Sequence, residues 1–199
     1  MKSLLIIGMI AGLSSAGLEA QQLHLSPPES AFHLGAPVRD FRLYDMKGHA
    51  VNYSSLKGSV TAVIFFSTRC PMSNAFNYRR NALYNDFGGR VKFIMIDSNS
   101  NESLEEVRNY AQEVEFDFPV YKDVDNVVAD LFGAQVTTDT FVMDSFGVIQ
   151  YHGYIEDSPN PTRAKNQGLR RAIEAVLESK PVIVPETHAL GCTIRRSRS

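Results

Sequence analysis

An unbroken apolar run, Val60-Thr-Ala-Val-Ile-Phe-Phe-Ser67, is followed within three residues by Cys70 and Pro71. The run has strand length and is rich in β-branched and aromatic residues. That composition suits a central strand covered on both faces. Pro71 fits the first turn of a helix, where its missing N–H costs nothing. The chain is therefore expected to pass from strand to helix at Cys70. A thiol at such a junction stands on a helix N-terminus. Unpaired backbone N–H groups and the helix dipole there favour the thiolate, the reactive form of the sulfur.

The pattern on either side extends this unit into a sheet. Residues 41–53 alternate about Lys47-Gly48, which predicts a β-hairpin. The helix after Pro71 is expected to run to about Phe87 and to end at Gly88-Gly89, with Val91–Asp97 as the next strand. Ser103 and Glu106 form a capping box, followed by an apolar helical face of Leu104, Val107, Ala111 and Val114. A short strand near 119–121 and a short helix at 126–132 make an insert. Thr140–Asp144 and Val148–Tyr154 form a second hairpin around Ser145–Gly147. Leu169, Ala172, Ile173, Val176 and Leu177 mark a last amphipathic helix. The order predicts an α/β fold, a central mixed sheet flanked by helices with an N-terminal β-hairpin and a helical insert. Open α/β sheets place their chemistry beyond the carboxyl ends of their strands, where Cys70 falls.

The 199 residues are enough for one domain with a substantial core. A net charge of −2 argues against nucleic acid as a partner, since that function leaves a strongly basic footprint. Arg195, Arg196 and Arg198 are confined to the last five residues and read as a solvated tail. Lys2, the apolar stretch Leu4–Leu13 and the small residues Ser14, Ser15 and Ala16 have the form of a signal peptide, cleaved after Ala16 or Ala20. The expected organisation is a signal peptide at 1–20, a lead-in segment at 21–35, the main domain at 36–180 and a C-terminal tail at 181–199 carrying Cys192. The product would be exported, periplasmic or extracellular, without stable membrane insertion after cleavage. Such a compartment permits disulfides.

Three stretches resemble one family. "GAPVRDFRLYDMKGHAVNYSSLKG" is similar to the N-terminal hairpin of exported redoxins, and "AVIFFSTRCPMSNAFNYR" to their active-site strand, loop and helix. The end of the chain, from "YHGYIEDSPN" to "ETHALGCTIRR", is similar to a subgroup that closes in a Gly-Cys-x-Ile-Lys/Arg motif. The resemblance covers residues 35–196 and is to the thioredoxin superfamily, among the alkyl hydroperoxide reductase and thiol-specific antioxidant (AhpC/TSA) redoxins. It implies a thioredoxin-like fold and a thiol–disulfide oxidoreductase with Cys70 as nucleophile. It also implies a thiol or disulfide protein, or a small-molecule thiol, as partner, and no cofactor.

The chain departs from that family at two places. Thioredoxins carry Cys-x-x-Cys, whereas this motif is Cys70-Pro71-Met72-Ser73. Two readings of Ser73 stay open: a hydrogen bond to the thiolate, or an ordinary polar residue of the first helical turn. A cis-proline usually precedes the strand that here begins at Thr140, and it leaves a backbone amide free for substrate. Thr138 stands there instead. A cis bond before a non-proline residue costs about 2.5–4 kcal/mol, so a trans bond is expected. Peroxiredoxins place a hydroxyl three residues before the reactive cysteine, as Ser67 is, but Val63 takes their proline position. Arg69 is the nearby charge. A peroxidase acting on peroxides is thus a second reading, and a non-catalytic thioredoxin-fold binding module a third.

Cys192 follows Cys70 by 122 positions and is the chain's other cysteine. Three roles stay open for it: a resolving thiol on a mobile tail, one half of a static disulfide with Cys70, or a free or intermolecular thiol. His24, His33, His49, His152 and His188 lack tight metal spacing, and Cys70 with one histidine is too sparse for a structural zinc site. Copper or haem-iron handling rests only on analogy with other exported redoxins. Asp97 ends the second core strand, where it either faces Cys70 or caps the following loop.

Overall fold

The computed structural model describes residues 32–197. The expected signal peptide with its cleavage sites, His24 and Arg198 lie outside the described residues. The elements in chain order are β1 (Arg42–Asp45), β2 (Ala50–Asn52), α1 (Tyr53–Leu56), β3 (Thr61–Phe66), α2 (Pro71–Asn74), α3 (Asn77–Phe87) and β4 (Lys92–Asp97). Then follow α4 (Leu104–Glu113), β5 (Val120–Lys122), α5 (Val127–Phe132), β6 (Thr140–Met143), β7 (Ile149–Gly153) and α6 (Gly168–Leu177). The first hairpin turns at Gly48, whose φ of +86° suits a residue without Cβ. Asp45 closes the turn by accepting from the amides of Lys47 and His49.

The strands form one mixed seven-stranded sheet in the order β2-β1-β5-β4-β3-β6-β7. β3 is parallel to β4 and antiparallel to β6, and all six of its residues are buried. Side chains alternate across a strand, so β3 feeds two cores. Ala62, Ile64 and Phe66 join Leu83 and Phe87 of α3, Val107 of α4 and Leu169, Ala172 and Ile173 of α6. Val63 and Phe65 point the other way, among Phe41, Tyr53, Phe132 and Phe141. Each fully buried side chain of this kind stabilises the fold by about 1.5–3 kcal/mol. The backbone at Cys70 is thereby fixed from both faces.

Two expectations are corrected. The helix after Cys70 does not run unbroken to Phe87; it divides at Ala75-Phe76. A guanidinium causes the break. Arg80 donates to the Ser73 carbonyl oxygen at 2.9 Å, and the Phe76 amide also binds that oxygen, three residues on rather than four. A side chain inserted into the helical hydrogen-bond ladder breaks its regular course.

The second correction concerns the tail. It has no helix or long strand, but it is bound to the domain along its length. The amides of His152 and Thr187 pair it to β7 through Pro185 and His152 carbonyls. Thr193 bridges Val136, and the Ile194 amide donates to the Gln135 carbonyl. Ile194 is 3% exposed and packs in the second core. Arg196, read above as part of a solvated tail, pairs with Asp130 at 3.0 Å and donates to the Ala134 carbonyl.

Candidate active site

Cys70 is the N-cap residue of α2, with Pro71 at the first helical position. β3 delivers it to the carboxyl edge of the sheet. Its sulfur accepts the Ser73 amide at 3.4 Å and the Cys192 amide at 3.3 Å. Cys70 and Cys192 are joined as a disulfide, with Cα atoms 5.9 Å apart, within the range that bridge requires. Cys192 is thus bonded to Cys70 in this structure rather than free. The tail that carries it is docked, not free.

The supporting residues hold the turn rather than the sulfur. The Ser67 hydroxyl donates to Glu102 at 2.5 Å and accepts the amides of Arg69 and Cys70 at 3.1 and 3.0 Å. The Ser73 hydroxyl accepts from the Ser67 amide and from Arg80, each at 3.1 Å. It is the backbone N–H of Ser73, and not its hydroxyl, that reaches the Cys70 sulfur. No cis peptide bond occurs among the described residues, so the bond before Thr138 is trans. The Thr138 hydroxyl donates to the Leu190 carbonyl, and the Thr137 amide to the Cys192 carbonyl, both at 2.9 Å. The tail therefore occupies the backbone beside Thr138.

Three charged residues missed as parts of the site underlie it. Glu102 is buried and accepts from the Thr68 amide and hydroxyl as well as from Ser67. Arg80 is fully buried and holds Ser73 at two atoms. Burial lowers its pKa to about 9, which leaves it charged at neutral pH. Lys122 is buried against Asp97, and its ammonium also donates to the Asn99 carbonyl at 2.7 Å. Burial raises Asp97 to about 8 against the opposing pull of Lys122. Asn99 binds Asp97 through its amides and accepts the Arg195 amide at 3.0 Å. Asp97 thus supports the loop that grips the tail.

Arg69, the sequence's nearby cation, turns away to Glu106, which it meets at 2.6 Å through two nitrogens. That contact lowers the Glu106 pKa. It also explains why the capping box is half formed. The Ser103 hydroxyl accepts the Glu106 amide, but the Glu106 carboxylate serves Arg69 and Thr68. Among the described residues, no group of three or more His, Cys, Asp and Glu side chains is placed to hold a metal ion. No described helix is long and apolar enough to cross a membrane.

The geometry has counterparts in known proteins. The chain is 28% identical over 116 residues to the thiol-disulfide oxidoreductase ResA of Bacillus subtilis (strain 168); the match covers 58% of this chain and 64% of that protein. The chain thus spans just under two thirds of that relative's length. An uncharacterised conserved protein from Geobacillus kaustophilus superposes with a TM-score of 0.78 at 28% identity, covering 84% of this chain and 94% of the other. A secreted disulfide oxidoreductase from Mycobacterium tuberculosis superposes with a TM-score of 0.54 at 18% identity, over 68% of this chain and 95% of that one; this likeness shows the fold alone. The fold is thioredoxin-like, a central seven-stranded mixed sheet flanked by helices. Residues 34–152, more than half of the sequence, match the AhpC/TSA family, and the chain belongs to that family.

Proposed function

We propose that this protein is an exported thiol–disulfide oxidoreductase whose working pair is Cys70 and Cys192. Cys70 supplies a nucleophilic thiolate, and Cys192 is the second thiol of the pair, standing in for the cysteine that a Cys-x-x-Cys motif would carry at Ser73. The carrying observation is the disulfide between the strand–helix junction and a docked tail. A pair separated by 122 positions then works as a local dithiol, because the tail's backbone contacts hold the two sulfurs together. Two backbone N–H groups directed at the Cys70 sulfur favour its thiolate. The relationship to ResA supports a thiol or disulfide partner.

Export is read from the apolar N-terminal stretch and from the disulfide, which an oxidising compartment sustains. The domain then begins near residue 36, and the tail with Cys192 completes its site. Pro71 starts α2, while Ser67, Ser73 and Thr138 hold the turn and the tail in place.

The test is a redox titration of the purified mature protein in glutathione buffers, following the Cys70–Cys192 bond by thiol alkylation. The expected result is reversible reduction at a defined potential, together with turnover of a model disulfide that Cys70→Ala abolishes. A bond that neither opens nor re-forms across the buffer range, or turnover unchanged in Cys70→Ala, overturns the proposal.

A further inference from the structure

We infer that an external thiol joins the disulfide at Cys192 and not at Cys70, so that the tail cysteine carries the mixed disulfide and Cys70 is the leaving group. This deepens, and rests on, the thiol–disulfide reading above. It reverses the order expected from the resemblance, in which the residue at the Cys70 position meets the partner.

Exposure separates the two sulfurs. Cys70 is 3% exposed, whereas Cys192 is exposed on the tail beside exposed Thr193. Exchange needs the attacking thiolate in line with the S–S bond, on the far side of the sulfur it attacks, and depends on access to that sulfur. Cys70 is held in the buried turn of Ser67 and Ser73, which bind its amide and its sulfur. The leaving group also favours this direction, since a thiolate of lower pKa leaves faster. Cys70 already accepts the amides of Ser73 and Cys192, so charge arriving on it is hydrogen-bonded at once.

The same tail limits what the thiol can be. Cys192, Thr193 and Ile194 occupy the backbone of residues 135–137, and Leu190 engages Thr138. An extended peptide cannot pair there while the tail is docked. The geometry therefore selects a small-molecule thiol. Its thiolate attacks the Cys192 sulfur; the bond to Cys70 breaks and its electron pair departs as the Cys70 thiolate. A second thiolate attacks the small molecule's sulfur in the mixed disulfide, which releases the symmetrical disulfide and the Cys192 thiolate. Two thiols are oxidised and one protein disulfide is reduced, with both protons retained by the protein thiols or by solvent. In the reverse direction Cys70 is the internal nucleophile that attacks the mixed disulfide on Cys192.

Oxidised protein is mixed with reduced glutathione, quenched with acid at early times, alkylated and mapped by mass spectrometry. The expected early product carries glutathione on Cys192 and the alkyl group on Cys70, in at least tenfold excess over the opposite pattern. Glutathione found first on Cys70 overturns the inference and leaves the oxidoreductase reading standing. No adduct and no reduction at either sulfur overturns both. A second measurement compares single-cysteine variants with 5,5′-dithiobis(2-nitrobenzoic acid). Cys70→Ser, which leaves Cys192 free, should react at least tenfold faster than Cys192→Ser. Equal rates, or faster reaction of Cys192→Ser, count against the assignment.

Discussion

Arg80 donates to both the carbonyl oxygen and the hydroxyl of Ser73, at 2.9 and 3.1 Å, while fully buried itself. It makes no ion pair with a carboxylate among the described residues. Its charge is met by Ser73, by Asn77 at 3.0 Å and by the face of Phe66 at 6.0 Å. The arrangement fixes Ser73, and through the Ser73 amide the Cys70 sulfur. Lysine keeps the charge but cannot span two acceptors with a planar fork. Arg80→Lys should therefore destabilise the fold by about 2 kcal/mol, in the range for hydrogen bonds to charged groups. It should also shift the pH profile of Cys70 alkylation in the reduced protein upward. Urea denaturation and an alkylation series check the two effects; a variant unchanged in both would show that the fork is not used.

Glu102 collects three donors, the Ser67 hydroxyl and the Thr68 amide and hydroxyl, and so fixes the turn that precedes Cys70. Glutamine has nearly the same shape but directs an NH2 group at donors. With its oxygen turned to Thr68, that NH2 meets the Ser67 oxygen, which already accepts the amides of Arg69 and Cys70. Glu102→Gln is expected to lose about 1–3 kcal/mol of stability for the unmet buried groups. The urea midpoint should fall with an unchanged slope. A midpoint equal to wild type would mean that the carboxylate is dispensable to the turn.

The sheet was legible because its signals are local. The β3 run, the Lys47-Gly48 turn and the α4 face each announce themselves within a few residues, and each is present. Cys70 was legible for the same reason, as a strand end followed by proline. The break at Ala75-Phe76 was not, because it depends on where the Arg80 guanidinium folds back, and periodicity does not report that. Nothing local in the sequence sets Glu102 and Lys122 apart from surface charges. Their burial follows from partners 34–35 and 25 positions away, respectively. Nor did the tail's proline-marked composition show that Ile194 enters a core assembled from the distant Phe41 and Phe132.

Asp97 gives the fold a pH dependence whose sign can be stated. Its pKa is about 8 in the fold, raised chiefly by burial, against 3.8 as the ordinary value. Between about pH 4 and 8 the folded state thus holds more proton on this group than the unfolded state. The stability it contributes is fully present below about 4 and is lost as pH rises through 8. The slope from this group approaches about 1.4 kcal/mol per pH unit at most. Denaturation free energies of wild type should fall from pH 6 to 8 relative to Asp97→Asn, in which the carboxyl cannot titrate. Parallel curves for the two proteins would show that Asp97 keeps one protonation state across this range.

Among the contacts that keep Cys192 beside Cys70, one covalent hold and one through buried Ile194 can be separated. The disulfide closes a loop of sequence separation 122, worth about 4–5 kcal/mol on the chain-entropy model. Ile194 is buried among Phe41, Phe132 and Phe141, and cutting it to alanine costs about 2–5 kcal/mol. The amides of Thr137, Ile194 and Arg195 donate across the tail contact and report its closure. In reduced wild type they should stay protected from hydrogen exchange, because Ile194 still holds the tail. In oxidised Ile194→Ala they should stay protected because the disulfide does. In reduced Ile194→Ala the surface hydrogen bonds and the Arg196–Asp130 pair must hold the tail without either, and protection at these three amides should collapse while β3 and β4 remain protected. Re-formation of the disulfide should then slow at least tenfold, since a released tail lowers the effective concentration of Cys192 at Cys70. If reduced wild type already exchanges freely at these amides, the tail is held by the sulfur bond alone, and the pair would separate on every reduction.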